Sequence, residues 1–479
     1  MERCDVILKG GTVIDGSGAP GFAADVAVQG DRIVAVGDIS GWQADVIVDA
    51  SNKIVAPGFI DVHTHDDVAV LKTPDMPFKV SQGVTTIIAG NCGTSAAPFV
   101  PCDGLPPPFT INLTDKSTCY ATIEDYRKAV EAAAPAVNVA MLAGHSSLRA
   151  NVMGTDLDRA ATEAETLAMA ETLNLALRQG CVGLSSGLDY PPALAAPMDE
   201  VVQLAKVLSA HPKSVYTTHM RDEGDHVVDA VIETIETARQ AKASVVISHH
   251  KCAGVANFGK SVETLKLIAE AQKRQNVALD VYPYVASSSA LIHRFLPAAD
   301  DIKVNWSVPY PDMGGRMLND IAAEWGVSRE VATDRLHPAG AIYFEMDEGD
   351  LQRVIAFPTS MIGSDGIPGT EKPHPRLWGT FPRVLGRYAR ELGLLTMAQA
   401  VHKMTGMSAA NFGLNDRGLV REGLKADLVV FDADTVIDTA TFDDPERPAK
   451  GISHVLINGA IGWSDGAQTN VRAGQFVAH

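Results

Sequence analysis

Along the middle of the chain, short β-favouring apolar runs alternate with longer helical stretches. The apolar runs end near His65, Cys92, His145, Ser186, His219, His249, Tyr284 and Asp365. Helical stretches over residues 158–179, 198–209, 227–241 and 262–274 lie between several of them. Eight strand candidates joined by helical crossovers predict an α/β fold, a (β/α)8 TIM-like barrel. An open doubly wound sheet is the alternative. The count of eight, and a polar residue at nearly every strand end, favour the barrel.

The two ends of the chain have a different pattern. Asp5-Val6-Ile7-Leu8 leads through Lys9-Gly10-Gly11 to Thr12-Val13-Ile14-Asp15, and Asp25-Val26-Ala27-Val28 leads through Gly30-Asp31 to Arg32-Ile33-Val34-Ala35. Both read as hairpins. Strands recur at Ala426 to Phe431, at His454 to Gly459 and, briefly, at Ala473 to Val477. Neither end has enough strands for a stable sheet of its own. Residues 1–56 plus 415–479 are therefore predicted to build one small β-sandwich, with the barrel, 57–414, between its halves. Residues 286–344 exceed a simple crossover and are rich in Pro, Asp, Trp and Met, which predicts an insertion over the barrel mouth acting as a lid.

Composition narrows the partners. Of 479 residues, 46% are hydrophobic and 20% charged, ordinary for a globular protein. A net charge of -18 argues against nucleic acid or an anionic membrane as partner, although a locally positive pocket can still take a small anion. Six scattered cysteines suit reduced thiols and a cytoplasmic location. No secretory leader and no apolar run long enough to span a bilayer is expected.

Barrels of this kind carry their active sites at the C-terminal ends of the strands. The first strand ends Asp61-Val62-His63-Thr64-His65, the second Gly90-Asn91-Cys92, the fifth Thr217-Thr218-His219, the sixth Ser248-His249-His250 and the eighth Gly363-Ser364-Asp365. Singly, each has a bland reading: a surface histidine, a buried thiol, a turn aspartate. Together, at the strand ends of one barrel, they predict a metal site. Thiolate plus imidazole suits zinc, and Asp365 is placed to exchange protons with a metal-activated water. His249 and His250 point to opposite faces of their strand, so at most one of them faces the barrel axis.

The order of these motifs resembles the amidohydrolase superfamily. Pro57 to His65, Gly90-Asn91-Cys92-Gly93, Thr218-His219-Met220-Arg221, Ser248-His249-His250-Lys251 and Gly363-Ser364-Asp365-Gly366 are similar to the N-acyl-D-amino-acid deacylases, over essentially the whole chain. The resemblance implies zinc-dependent hydrolysis of the N-acyl bond of a D-amino acid. It implies one tightly held zinc on Cys92, His219 and His249, and a second, weaker position at His63 and His65 sharing Cys92. It also implies that Lys251, Tyr282 and Arg376 bind the substrate's α-carboxylate and that Tyr190 and Ser288 line the pocket. Arg294 departs from relatives that are apolar near that position, which points to acidic side chains, as in N-acyl-D-glutamate. Apolar side chains are one alternative. A cyclic-amide hydrolase is another, weakened by the lack of a lysine at a matching strand end. A non-catalytic scaffold would be expected to lack several of these ligands.

Overall fold

The computed structural model describes residues 2–113 and 115–478. Its centre is a parallel eight-stranded sheet, and the strands are numbered here in chain order: β1 (Phe59–Asp61), β2 (Val84–Ala89), β3 (Asn138–Gly144), β4 (Gly183–Gly187), β5 (Val215–His219), β6 (Ser244–Ile247), β7 (Val277–Val281) and β8 (Ser360–Ile362). Each strand pairs with its neighbours in sequence, and a parallel bridge from Thr64 to Gly366 joins β1 to β8. The sheet is therefore a closed barrel.

These strands are buried on both faces, which is why they read as continuous apolar runs rather than alternating ones. One set of side chains, including Ile60, Ile88, Leu142, Val182, Val215, Val246 and Met361, packs with Phe412 and Leu414. The other set, including Ile87, Met141, Leu184, Tyr216, Ile247 and Leu279, packs against the surrounding helices. The helix predicted over 158–179 begins later, at Glu163, because Thr162 and Glu165 form a reciprocal capping box there.

The strands of the chain ends form one nine-stranded sheet, in which Leu428–Phe431 lies beside Ile54–Pro57. Val6, Leu8, Val28, Val55, Leu428, Val430 and Leu456 share its apolar core, so this sheet draws on both ends of the chain. Two local expectations fail. Lys9-Gly10-Gly11 is not a hairpin turn: a single strand, Arg3–Val13, runs through it with a bulge between Leu8 and Gly11. The chain continues because the second half of that strand finds new partners in Ile54 and Val55, and Gly10 supplies the positive φ of 77° that the bulge requires. Residues 473–477 make only an isolated bridge, Phe476 to Val139, alongside the start of β3.

Between β7 and β8 the chain leaves the barrel to form an antiparallel three-stranded sheet, Ser287–Ala290, Ile302–Ser307 and Ala339–Tyr343. This insertion has its own core, including Leu291, Ile302, Val304, Leu318, Ile321 and Leu336. It covers the end of the barrel where the strand-end residues gather.

Candidate metal centre and active site

The strand β1 stops at Asp61, so strand alternation alone does not place His63 and His65. The barrel seam places them. The Asp365 amide donates to the His63 carbonyl at 2.8 Å, which ties the segment after β8 to the segment after β1. The two imidazole rings end 5.7 Å apart. Three site residues, Cys92, His249 and Asp365, have φ values of 51°, 34° and 50°. Non-glycine residues rarely adopt that region, and such strain concentrates at functional sites. Cys92 is flanked by Gly90 and Gly93, where an added Cβ would lie 2.2 Å from the Leu142 carbonyl oxygen and 2.7 Å from the Gly187 nitrogen. The tight loop that presents the thiol admits no other residue at those two positions.

Cys92 Sγ lies 3.2 Å from His63 Nε2 and 3.4 Å from His249 Nε2. Asp365 Oδ1 is 3.1 Å from His65 Nε2 and 3.5 Å from His63 Nε2. Two groups of donors are close enough for an ion: His63, Cys92, His249 and Asp365, and His219, Glu223 and His249. His249 belongs to both. His219 is buried with neither ring nitrogen in a hydrogen bond, so it is an orphaned pair of donors facing Glu223 at 3.6 Å. His250 turns away and bonds Thr264 Oγ1 at 2.8 Å, a packing role.

The electrostatics call for a cation. Burial opposes ionisation of Cys92, yet His63, His249 and His219 hold its thiol well below the ordinary value. Burial likewise opposes charging of the histidines, but Asp365 and Cys92 raise His65 to about 9, and Glu223, Asp189 and Cys92 raise His219 to about 10. Anions at this site thus draw protons onto the imidazoles. A divalent metal would supply the same positive charge and displace those protons. Soft sulfur with imidazole nitrogen suits zinc.

The remaining predicted residues surround this cluster. Arg376 Nη1 lies 2.9 Å from Asp365 Oδ2, and its Nη2 donates to the Ser288 carbonyl. Burial would raise the Asp365 carboxyl, but Arg376, His63 and the hydrogen bond with His65 keep it well below its ordinary value. The Tyr282 ring lies under the Arg376 guanidinium at 4.5 Å, and Lys251 Nζ is 5.9 Å from the same ring. Tyr190 packs beside His219, with its hydroxyl 3.3 Å from Ser289 Oγ. Ser288 accepts from Asn305 at 3.4 Å. Arg294 donates through Nε to Asp189 at 2.7 Å. A cavity of about 220 Å³ opens beside the cluster, lined by Tyr190, His219, Lys251, Ser288, Arg294, Glu345 and Asp365 among others.

Several residues here lie outside the strand-end reading. Glu223 contacts His249 Nδ1 at 2.9 Å and Lys251 Nζ at 2.5 Å. Asp280 accepts the His249 backbone amide at 2.8 Å, fixing the main chain there, and faces His63 Nδ1 at 3.3 Å, fixing that ring. A carboxylate inside the apolar run Val277–Val281 is the signal that could have revealed Asp280. The Asn112 side-chain amide lies 3.2 Å from His65 Nδ1, on a short helix in a long loop, and nothing in the sequence marks it.

A family model described as the amidohydrolase family matches residues 46–295 and 323–461. The chain belongs to the amidohydrolase family. It is 51% identical to a D-aminoacylase of Alcaligenes xylosoxydans xylosoxydans, over 99% of this chain and 97% of that one. It is 47% identical to an N-acyl-D-glutamate deacylase of the same organism, over 96% and 93% of the two chains. A crystal structure of N-acyl-D-glutamate deacylase from Bordetella bronchiseptica, complexed with zinc and a phosphonate mimic of the tetrahedral intermediate, superposes with a TM-score of 0.94 at 44% identity, covering 100% of each chain.

Proposed function

We propose that this protein is a zinc-dependent deacylase of N-acyl-D-amino acids. The observation that carries the reading is the position of Asp365. Its carboxylate is held ionised between Arg376 on one side and His65 and His63 on the other, at the wall of a cavity that also holds Lys251 and Arg294. The kinship with D-aminoacylase and N-acyl-D-glutamate deacylase supports it.

Cys92, His219 and His249 would hold the principal zinc, with His63 and His65 at a second, weaker position that shares Cys92. When bound, zinc polarises the acyl carbonyl and acidifies water. Asp365 takes a proton from the attacking water and returns it to the departing amine. Lys251, Arg376 and the Tyr282 phenol hold the α-carboxylate. The Lys251 ammonium already engages Glu223, which leaves two of its three donors for substrate. Tyr190 and Ser288 shape the pocket. Fixing the carboxylate and the side chain leaves one enantiomer with its acyl carbon at the metal.

Arg294 on the cavity wall favours an acidic side chain, so N-acyl-D-glutamate is the preferred substrate in this reading. Apolar side chains have an observation of their own in favour: Asp189 already compensates the Arg294 charge. Initial rates on N-acetyl derivatives of D-Glu, D-Asp, D-Leu, D-Met and their L enantiomers, with zinc supplied, test both levels. Turnover of L forms alone, or of none, overturns the deacylase reading. Equal or better kcat/KM on N-acetyl-D-Leu than on N-acetyl-D-Glu overturns the acidic preference only.

A further inference from the structure

We infer that the acyl chain of the substrate runs into a second, apolar cavity on the far side of His65, and that unbranched acyl groups of about hexanoyl length are therefore preferred to acetyl. The inference rests on the deacylase reading and extends it to the other arm of the amide.

The second cavity measures about 720 Å³, against about 220 Å³ for the one that holds Lys251 and Arg294. Both reach the same point. The smaller is walled by Asp365 and the larger by His65, whose Nε2 is 3.1 Å from Asp365 Oδ1. A scissile amide at that point has two arms to accommodate, and the linings differ in kind. The smaller cavity carries the cations that an α-carboxylate requires. The larger is lined by Ala69, Phe78, Ile111, Leu377 and Trp378 from the barrel side and by Trp306 from the insertion. Beyond His65 at its inner end, Lys72 is the lone cation among the described residues that line it, and it is paired with Asp115 at 2.5 Å. An amino-acid carboxylate has no free cation there beyond His65, whereas an alkyl chain meets a mostly apolar wall, with Thr73, Thr110, Asn112 and Ser307 as polar interruptions. The outer rim carries Glu371 and Glu446, which would repel an acyl chain ending in its own carboxylate.

Size favours a chain longer than acetyl. An acetyl methyl occupies about the volume of one water, about 30 Å³, and would leave this cavity nearly empty. Each further methylene exchanges water for apolar wall, and about 0.8 kcal/mol per buried CH₂ corresponds to about a fourfold gain in kcat/KM.

The test is a chain-length series on one D-amino acid: formyl, acetyl, butanoyl, hexanoyl and succinyl derivatives, assayed with the zinc-loaded full-length enzyme. The expected result is a rise in kcat/KM of about two- to fourfold per methylene from acetyl to hexanoyl, with succinyl below butanoyl. Val308→Trp, at a 65% exposed position on the cavity wall, should lower the hexanoyl-to-acetyl ratio of kcat/KM. Independently of turnover, hexanoate but not acetate should perturb tryptophan fluorescence, through Trp306 and Trp378. A flat or falling series with the acetyl derivative still cleaved overturns this inference and leaves the deacylase reading intact. Failure to cleave any N-acyl-D-amino acid overturns both.

Discussion

Lys79→Met should destabilise the protein sharply, and more so in mild alkali than in mild acid. Lys79 is fully buried beneath the barrel seam, 2.7 Å from Asp61 Oδ2, 3.0 Å from Asp66 Oδ2 and 3.0 Å from Ser364 Oγ. Asp61 in turn accepts the Ser364 amide at 2.7 Å, so the lysine anchors β1 and β8 together. Methionine fills a similar volume but leaves two buried carboxylates around one lost cation. Breaking a buried pair in this way costs about 3–5 kcal/mol, a large part of a total stability of about 5–15 kcal/mol. At about 2 °C per kcal/mol for a large domain, calorimetry should show Tm lowered by about 6–10 °C. The pH dependence follows from Asp66. Burial already pushes its carboxyl up to about 6, with Lys79 opposing, so removing Lys79 raises it further. A carboxyl raised above its unfolded value contributes stability at low pH that is lost as pH climbs through the folded value. The gap between wild type and variant should therefore narrow by about 1 kcal/mol or more between about pH 8 and about pH 5.5, since one pKa unit is worth about 1.4 kcal/mol. A loss under about 1 kcal/mol, or an equal loss at both pH values, would refute the reasoning.

Three further outcomes are expected. Asp365→Asn should lower kcat by about 10²–10⁴-fold with the metal content unchanged, and activity within tenfold of wild type would contradict a proton-transfer role. Adding zinc to chelator-treated protein at about pH 8 should release protons, because His65 and His219 titrate near 9 and 10 without metal; calorimetry in buffers of different ionisation enthalpy measures this, and zero release would argue against a site at these histidines. Lys403, buried with its ammonium donating to the Phe357 and Ser360 carbonyls, is pushed down by burial to about 8. The folded state then binds fewer protons than the unfolded one above that value, so stability should gain from Lys403 as pH rises from about 8 to about 10, and Lys403→Met should flatten that rise in Tm.

The sequence showed most clearly those residues that lie at or just past the end of a barrel strand. His63, His65, Cys92, His219, His249 and Asp365 each follow an apolar strand, and a closed parallel barrel brings such ends together whatever the helices between them do. The Lys9–Gly11 error has the opposite cause. A Gly-Gly pair permits either a turn or a bulge, and the choice was made by Ile54 and Val55, some forty residues away. Glu223, Asp189 and Asn112 were hidden for the same reason. Each lies on a loop or a short loop helix whose approach to the histidines depends on packing from distant elements. Lys79 gave no signal at all, because a lysine in a helical turn reads as a surface residue until its two aspartates are placed around it.

The insertion between β7 and β8 has its own core, yet its strands and connections wall two cavities at once: Ser288, Arg294 and Tyr343 face the smaller, Trp306 and Val308 the larger. It is packed as a unit of its own. Substitutions within it can retune what the enzyme accepts without disturbing the barrel that holds the reactive centre. Because one small sheet carries both walls, a change selected for one end of a ligand also shifts the other, and the two preferences would evolve together rather than independently.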